Sequence, residues 1–331
     1  MIKILNTRDE YFAEEALNYS FLKAFDITPE SALNPEKLSG AGLTFGTAVD
    51  VLLFDGLEEF EKRFQVLRYN TPTDMLGTLA TTFLQNIGIQ QIDFNRSIYS
   101  EMCEELSDKL GLWGNIKDPV KRKAKFDTDE FWGYIKESLE LGDKIPLDRE
   151  VKDSVFECVL TLKTNRFTQN YFTPKDNSIE IIYQLAIVYP FHGNLLKAML
   201  DQVVIDHVNK TIQPCDTKTT ADYVSNFPSN IVKYRYDLQA ENYNAAIKAW
   251  RDELYPSYEI LPFKFIVVSS QQTSKCLVFS IDPIDWRNRY NNFRFNKLRG
   301  LTEIIDNFTW HRDNQVFEYP REMYEYGYIE L

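Results

Sequence analysis

The order of secondary-structure signals in this 331-residue chain predicts an α/β fold: a sheet with helices packed on it, preceded by a largely helical N-terminal region. Three observations carry that prediction. Strand-like apolar runs follow one another at Ile179–Tyr189, Leu195–Ile205 and Thr211–Thr219. A long stretch with helical spacing, Ser229–Glu253, comes next, and two more strand-like runs, Phe263–Ser270 and Cys276–Ile281, close the pattern.

Taken in order, Asn18–Phe25 reads as a capped helix start, and residues 29–42 form a polar connection containing Pro and Gly. Thr44–Phe54 is almost wholly apolar and predicts a buried helix. Its one charged side chain, Asp50, is costly there unless paired, bound to metal or reaching water at the helix edge. From Leu57 to Gly142 charged and apolar residues alternate at helical spacing, interrupted by the basic stretch Lys117–Lys125, which reads as a solvated loop or a phosphate contact. Leu147–Thr164 predicts a further helix, and Asn165–Asn177 a loop. The expected organisation is a helical region over 1–145, including the 44–54 helix that packs on the core, a core over 146–290 and an extension over 291–331.

Composition narrows the function. Hydrophobic residues make up 44% and aromatics 14%, enough for a sizeable, ring-rich core. No run approaches the length of a membrane span, and the start of the chain lacks the long apolar stretch of a secretion signal, so a cytoplasmic protein is expected. Cys103, Cys158, Cys215 and Cys276 are scattered without a C-x-x-C pair, which argues for reduced thiols rather than zinc or disulfides. The net charge of −12 speaks against indiscriminate coating of nucleic acid. Any such contact must be concentrated, with charge screening over about 8 Å separating it from an acidic exterior.

The chemistry lies in the second and third strand-like runs. Asp206–Lys210 supplies turn residues between them, so Asp201 can fall beside Asp216 if the strands pair. Within Asp216-Thr217-Lys218 the two-residue period of a strand sends Asp216 and Lys218 to one face. Two carboxylates can hold Mg²⁺ through hard oxygens while a lysine orients or activates a water and steadies charge growing on phosphorus. The same residues also suit a hairpin with exposed acids and a solvated lysine. In the following helix Tyr236, Gln239 and Tyr243 recur at three or four residues and share a face. A Gln between two Tyr on a packed face needs hydrogen-bond partners, although a Tyr-rich amphipathic helix has the same pattern. Further on, Arg287, Arg289 and Arg294 alternate with Trp286, Tyr290, Phe293 and Phe295. Cations that hold phosphates beside rings that stack on bases make this a candidate strand-binding element, or an amphipathic helix closing the sheet.

Gly46-Thr47-Ala48-Val49-Asp50, Asp201, Asp216-Thr217-Lys218-Thr219 and Gln239-Ala-Glu-Asn-Tyr243 occur in the order of the four motifs of one family. The chain resembles the PD-(D/E)XK nuclease superfamily, particularly the branch of the RecB nuclease domain, RecE and lambda exonuclease. Tyr234–Tyr243 looks especially like the RecE and phage version. The resemblance covers about 44–50 and 179–282, and departs from the family where Asp50 stands in place of a histidine. It implies a restriction-endonuclease-like core with a mixed central sheet flanked by helices. It further implies Mg²⁺ or Mn²⁺ held by Asp50, Asp201, Asp216 and the Thr217 carbonyl, with Lys218 at the attacking water and Gln239 and Tyr243 supporting strand and lysine. Arg235 and Tyr236 join Arg287, Arg289 and Arg294 as candidate DNA contacts, and Glu180 is a candidate supporting acid. The activity implied is a DNA exonuclease acting 5′ to 3′ on linear duplex in phage-type recombination, in the host cytoplasm, with a single-strand annealing protein as partner and a homo-oligomeric ring as assembly. A structure-specific or single-strand endonuclease, or a catalytically weak module binding DNA or a partner, are the alternatives.

Overall fold

The computed structural model describes residues 1–34, 40–87, 94–294 and 297–329. Part of the expected 29–42 connection and Phe295 lie outside the described residues. Among the described residues nine strands occur in chain order: β1 (Lys3–Leu5), β2 (Phe64–Val66), β3 (Ile145–Leu147), β4 (Ile179–Phe191), β5 (Asn194–Asp206), β6 (Thr211–Thr220), β7 (Glu259–Ile260), β8 (Phe263–Ser269) and β9 (Cys276–Ile281). Seven of them make one mixed sheet in the order β1-β4-β5-β6-β8-β9, with β7 also on β6. Neighbours are antiparallel except β6 with β7 and β8, which are parallel because helices cross over between them. The α/β class and the mixed sheet flanked by helices are as the sequence predicts.

Local chemistry sets the two hairpins that carry the site. Between β4 and β5 the two loop residues His192 and Gly193 both have positive φ, 44° and 74°, the backbone that matches the twist of flanking strands. Between β5 and β6 the Asp206 carboxylate accepts from the Val208 and Asn209 N–H groups at 3.0 and 2.8 Å, and Lys210 turns left-handed.

The chain divides into two compact units, 1–46 with 157–331, and 47–156. This departs from the expected succession of 1–145, 146–290 and 291–331. In the first unit β4 shows why the N-terminus belongs to the sheet. Its odd residues Leu185, Ile187 and Tyr189 enter the main core, while Ala186 and Val188 on the other face pack with Leu5 and Tyr11. Helix Leu301–Asn314 contributes Leu301, Ile304, Ile305 and Phe308 to that same main core. Helix Tyr236–Leu254 lays Leu238, Ala246, Ile247 and Trp250 against it. Each fully buried aliphatic such as Val203 or Ile212 contributes roughly 1.5–3 kcal/mol.

The predicted Ser229–Glu253 helix is two, Phe227–Tyr234 and Tyr236–Leu254, broken at Arg235, which is left-handed at φ 57°. The predicted Thr44–Phe54 helix runs from Ala41 to Asp50 and continues as a π-helical turn over Val51–Asp55. In the second unit the expected helices are present, Asp74–Ile87, Arg96–Lys109 and Asp129–Leu139 among them, packed around Phe83, Phe126 and Trp132. The short parallel pair β2 and β3 was not apparent from sequence. The basic stretch is partly consumed within this unit, Arg122 pairing with Asp108 at 2.8 Å and Lys123 with Glu104 at 3.6 Å. Among the described residues no helix is long and apolar enough to cross a membrane.

Candidate active site

The register brings the acids together. The last aligned pair of β5 and β6 is Gln202 with Cys215, and one further step places Asp201 across from Asp216. A sheet irregularity then turns Asp201. On β5 the core-facing residues are Leu196, Ala198 and Leu200 before this point, but Val203 and Ile205 after it, so the alternation slips by one. On β4 the ladder breaks at the residue opposite, Gln184, whose φ is 52°. Left-handed backbone in a non-glycine residue costs roughly 1–3 kcal/mol and is concentrated at functional positions. Here it lets the Asp201 carboxylate swing to the next strand, where Oδ2 accepts the Thr217 backbone N–H at 2.8 Å.

On β6, Asp216 and Lys218 share a face, as the strand period requires, and their side chains form an ion pair. Asp216 is only 2% exposed. Its Oδ1 accepts from Gln239 Nε2 at 3.1 Å, and the same amide donates to the Tyr243 hydroxyl at 3.1 Å. Gln239 and Tyr243, four residues apart, therefore meet on the buried face of their helix. The Lys218 ammonium also lies 5.0 Å from the centre of the Tyr236 ring, which packs on Phe227 and Phe265.

Burial is the strongest influence on both members of the pair. It raises the Asp216 carboxyl above the usual carboxylate range, against the lowering effect of the Lys218 charge. For Lys218 burial disfavours the charge, but Asp216, Tyr236 and Asp201 outweigh it and hold the ammonium well above the ordinary lysine range. Lys218 in this state is a proton holder. Burial likewise keeps the Tyr243 phenol neutral, far above its ordinary value.

A divalent ion was expected here, so the donor set can be tested. Asp201 and Asp216 offer hard carboxylate oxygens from adjacent strands, and the buried Gln239 Oε1 finds no hydrogen-bond donor among the described residues. Among the described residues no three His, Cys, Asp or Glu side chains converge into a metal-holding cluster. Two carboxylates still suit Mg²⁺, which commonly keeps several waters and takes one or two acids. Asp50, the third expected ligand, is the half-buried last residue of its helix and belongs to the second compact unit. Gly46 of the same motif lies in the first unit, where a Cβ would stand 3.1 Å from Thr219 Oγ1, so this backbone approaches β6 closely.

Several expected contacts are corrected. Arg235 is buried, its guanidinium on Asp26, on Asp237 at 3.1 Å and on the Arg299 carbonyl at 2.6 Å. Arg287 is buried too, donating to Glu241 at 2.6 Å beneath Gly300. Both hold helices together and are not presented to a strand. Arg289 and Arg294 are exposed, and Arg294 lies over the Tyr290 ring at 5.8 Å. Glu180 pairs in register with Ile205, four residues from Asp201, about 13 Å along the strand. It bonds His207 at 3.0 Å and does not support the site. Sequence reasoning missed Gln202. Its buried amide exchanges two hydrogen bonds of 3.1 Å with the Thr217 hydroxyl and so fixes β6 at the motif. A polar residue in an apolar run beside Asp201 was the available signal.

No family model matches the chain, and no curated protein matches it. Among solved structures it is similar to a "putative exonuclease" from Eubacterium rectale, at 11% identity over 99% of this chain and 96% of that one, with a TM-score of 0.49.

Proposed function

We propose that the chain is a metal-dependent deoxyribonuclease that hydrolyses phosphodiester bonds, acting from the ends of linear duplex DNA and resecting one strand 5′ to 3′. The observation that supports this best is the convergence of Asp201, Asp216, Lys218, Gln239 and Tyr243, residues from three separate elements, in one largely buried cluster of charge. A solvated hairpin would leave the acids in water, and a lysine set on a 2% exposed carboxylate is instead a costly arrangement that function can explain.

Asp201 and Asp216, with the Thr217 carbonyl, would hold Mg²⁺, which when bound supplies positive charge to the phosphate and to the leaving 3′-oxygen. The chain's own residues do the rest. Thr217 N–H fixes the Asp201 carboxylate and the Gln239 amide that of Asp216. Lys218 keeps its proton and offers its ammonium hydrogens to an attacking water or a phosphate oxygen, in surroundings where charge interactions are stronger than in water. Tyr243 locks Gln239 through their 3.1 Å bond. Polarity and end-dependence draw on the family resemblance.

The test is an Mg²⁺ titration with end-labelled linear duplex, closed circular DNA and single strands. End-dependent degradation supports the proposal; cutting of circles makes the enzyme an endonuclease. Binding without cleavage makes it a recognition module. Full activity in Asp216→Ala or Lys218→Ala would overturn the site assignment.

A further inference from the structure

From Lys218 of the candidate centre a row of tyrosines and lysines leads outward, and its members beyond Lys218 have no part in the metal chemistry. The Lys218 ammonium covers the Tyr236 ring, and the Tyr236 and Tyr234 rings lie 5.5 Å apart. Lys233 stands 5.1 Å from the Tyr234 ring centre and Lys23, from helix Tyr19–Ile27, stands 5.8 Å from it. Tyr19 of that helix donates its hydroxyl to the Tyr234 carbonyl, tying the two segments together. Tyr234 is 37% exposed and Lys233 is exposed, so the row runs from a buried carboxylate out to solvent.

In a chain of net charge −12, Lys23 and Lys233 are conspicuous because no carboxylate pairs with either among the described residues. The acid nearest in sequence to Lys23 is Asp26, and its carboxylate is engaged by Arg235 and Arg299. The tyrosine rings are held at low conformational cost and offer π-faces; the two ammonium groups are compact charges that suit phosphate oxygens.

We propose that Tyr234, Lys23 and Lys233 form the binding track for the single-stranded DNA end next to the scissile phosphate, one base stacking on Tyr234 and adjoining phosphates resting on the lysines. The proposal rests on the nuclease reading of the Asp216 and Lys218 centre, and its test separates the two. The contacts need no metal, so binding of a fluorescent single-stranded oligothymidylate to the full chain is measured by anisotropy in EDTA over a salt series. Cleavage of end-labelled duplex in Mg²⁺ is measured in parallel.

Tyr234→Ala is expected to weaken binding about 5- to 150-fold, the range for one base stacked on one ring, with Tyr234→Phe close to wild type. Lys23→Ala/Lys233→Ala should weaken binding and flatten the dependence of log affinity on log salt by about 1.4, the release expected for two phosphates of a single strand. The exposed Lys175→Ala/Lys275→Ala pair should change neither. Melting curves for each variant exclude unfolding as the cause. If wild type cleaves DNA while Tyr234→Ala and the double lysine variant bind and cleave as it does, the track is wrong and the nuclease reading survives. If wild type binds through Tyr234 but cleaves nothing in Mg²⁺ or Mn²⁺, the track survives and the nuclease reading fails. If wild type neither binds nor cleaves, both fall.

Discussion

Replacing Lys218 by Met removes the charge that faces a buried carboxylate, and the cost can be worked from the pair's surroundings. Breaking a buried ion pair by removing one partner costs roughly 3–5 kcal/mol, because the remaining charge is left without compensation. The Lys218 side chain is 18% exposed, which places the loss near the lower end, about 3 kcal/mol. Asp216→Asn keeps an acceptor for the Gln239 amide, and the orphaned ammonium has a flexible stem with which to reach water, so its loss is smaller. In the double variant Asp216→Asn/Lys218→Met neither charge of the pair remains, and stability returns to within about 1 kcal/mol of wild type. For a unit of this size about 3 kcal/mol corresponds to a fall of roughly 6–12 °C in melting temperature. Calorimetry of all four proteins reads these values, with cleavage of labelled duplex measured alongside. The double variant should melt like wild type and be inactive. Additive losses in the double variant would show that the two side chains do not depend on one another, and a stable Lys218→Met would refute the account of the buried pair.

Arg235→Met leaves Asp26 and Asp237 without their shared guanidinium and should lower unfolding free energy by about 3–5 kcal/mol in urea, whereas a DNA-contact role would weaken binding and spare stability. Burial pushes the Cys103 and Cys158 thiols up to about 12, so the folded chain holds these protons more tightly than the unfolded one. That stability is fully present below the ordinary thiol value of about 9 and is lost as pH rises from there towards 12. Melting temperature should decline across that window, and native protein at pH 8 should not react with a thiol reagent. Added Mg²⁺ should raise the wild-type melting temperature as the logarithm of its concentration once above Kd, and Asp201→Asn should flatten that response.

What the sequence disclosed depended on whether a signal was local. The β5–β6 hairpin was legible because Asp206 to Lys210 carries its own turn chemistry, and the pairing of Asp216 with Lys218 followed from a two-residue period that no tertiary contact altered. The orientation of Asp201 was not legible. It depends on a slip in alternation shared with Gln184 on another strand, and strict alternation would have sent Asp201 to the face opposite Leu200. The three-residue β1 has too little apolar pattern to announce itself and exists because Val188 and Ala186 needed a cover. The break at Arg235 is likewise tertiary: helical spacing runs through it unbroken, and Asp26, over two hundred positions earlier, Asp237 and the Arg299 carbonyl hold the side chain of this left-handed residue.

The same distinction changes how the charges of this chain bear on the proposed DNA substrate. From sequence, the arginines at 235, 287, 289 and 294 made one basic supply next to aromatic residues. In the fold Arg235 and Arg287 are internal counter-ions to Asp26, Asp237 and Glu241, leaving Arg289 and Arg294 as the exposed pair. Lys23 and Lys233, which no motif marked, gather on the Tyr234 ring beside the row that leads to Lys218. On the proposed reading, a DNA strand meets the cations that have no acid partner among the described residues, within the roughly 8 Å over which salt lets them act. Those cations sit beside the buried carboxylate because Tyr19 and Tyr236 tie helix Tyr19–Ile27 and the Gln239 helix to the same patch. Reversing the charge of Lys233 to Glu should therefore depress strand binding more than the same change at Arg289, and equal effects would place the path along the C-terminal arginines instead.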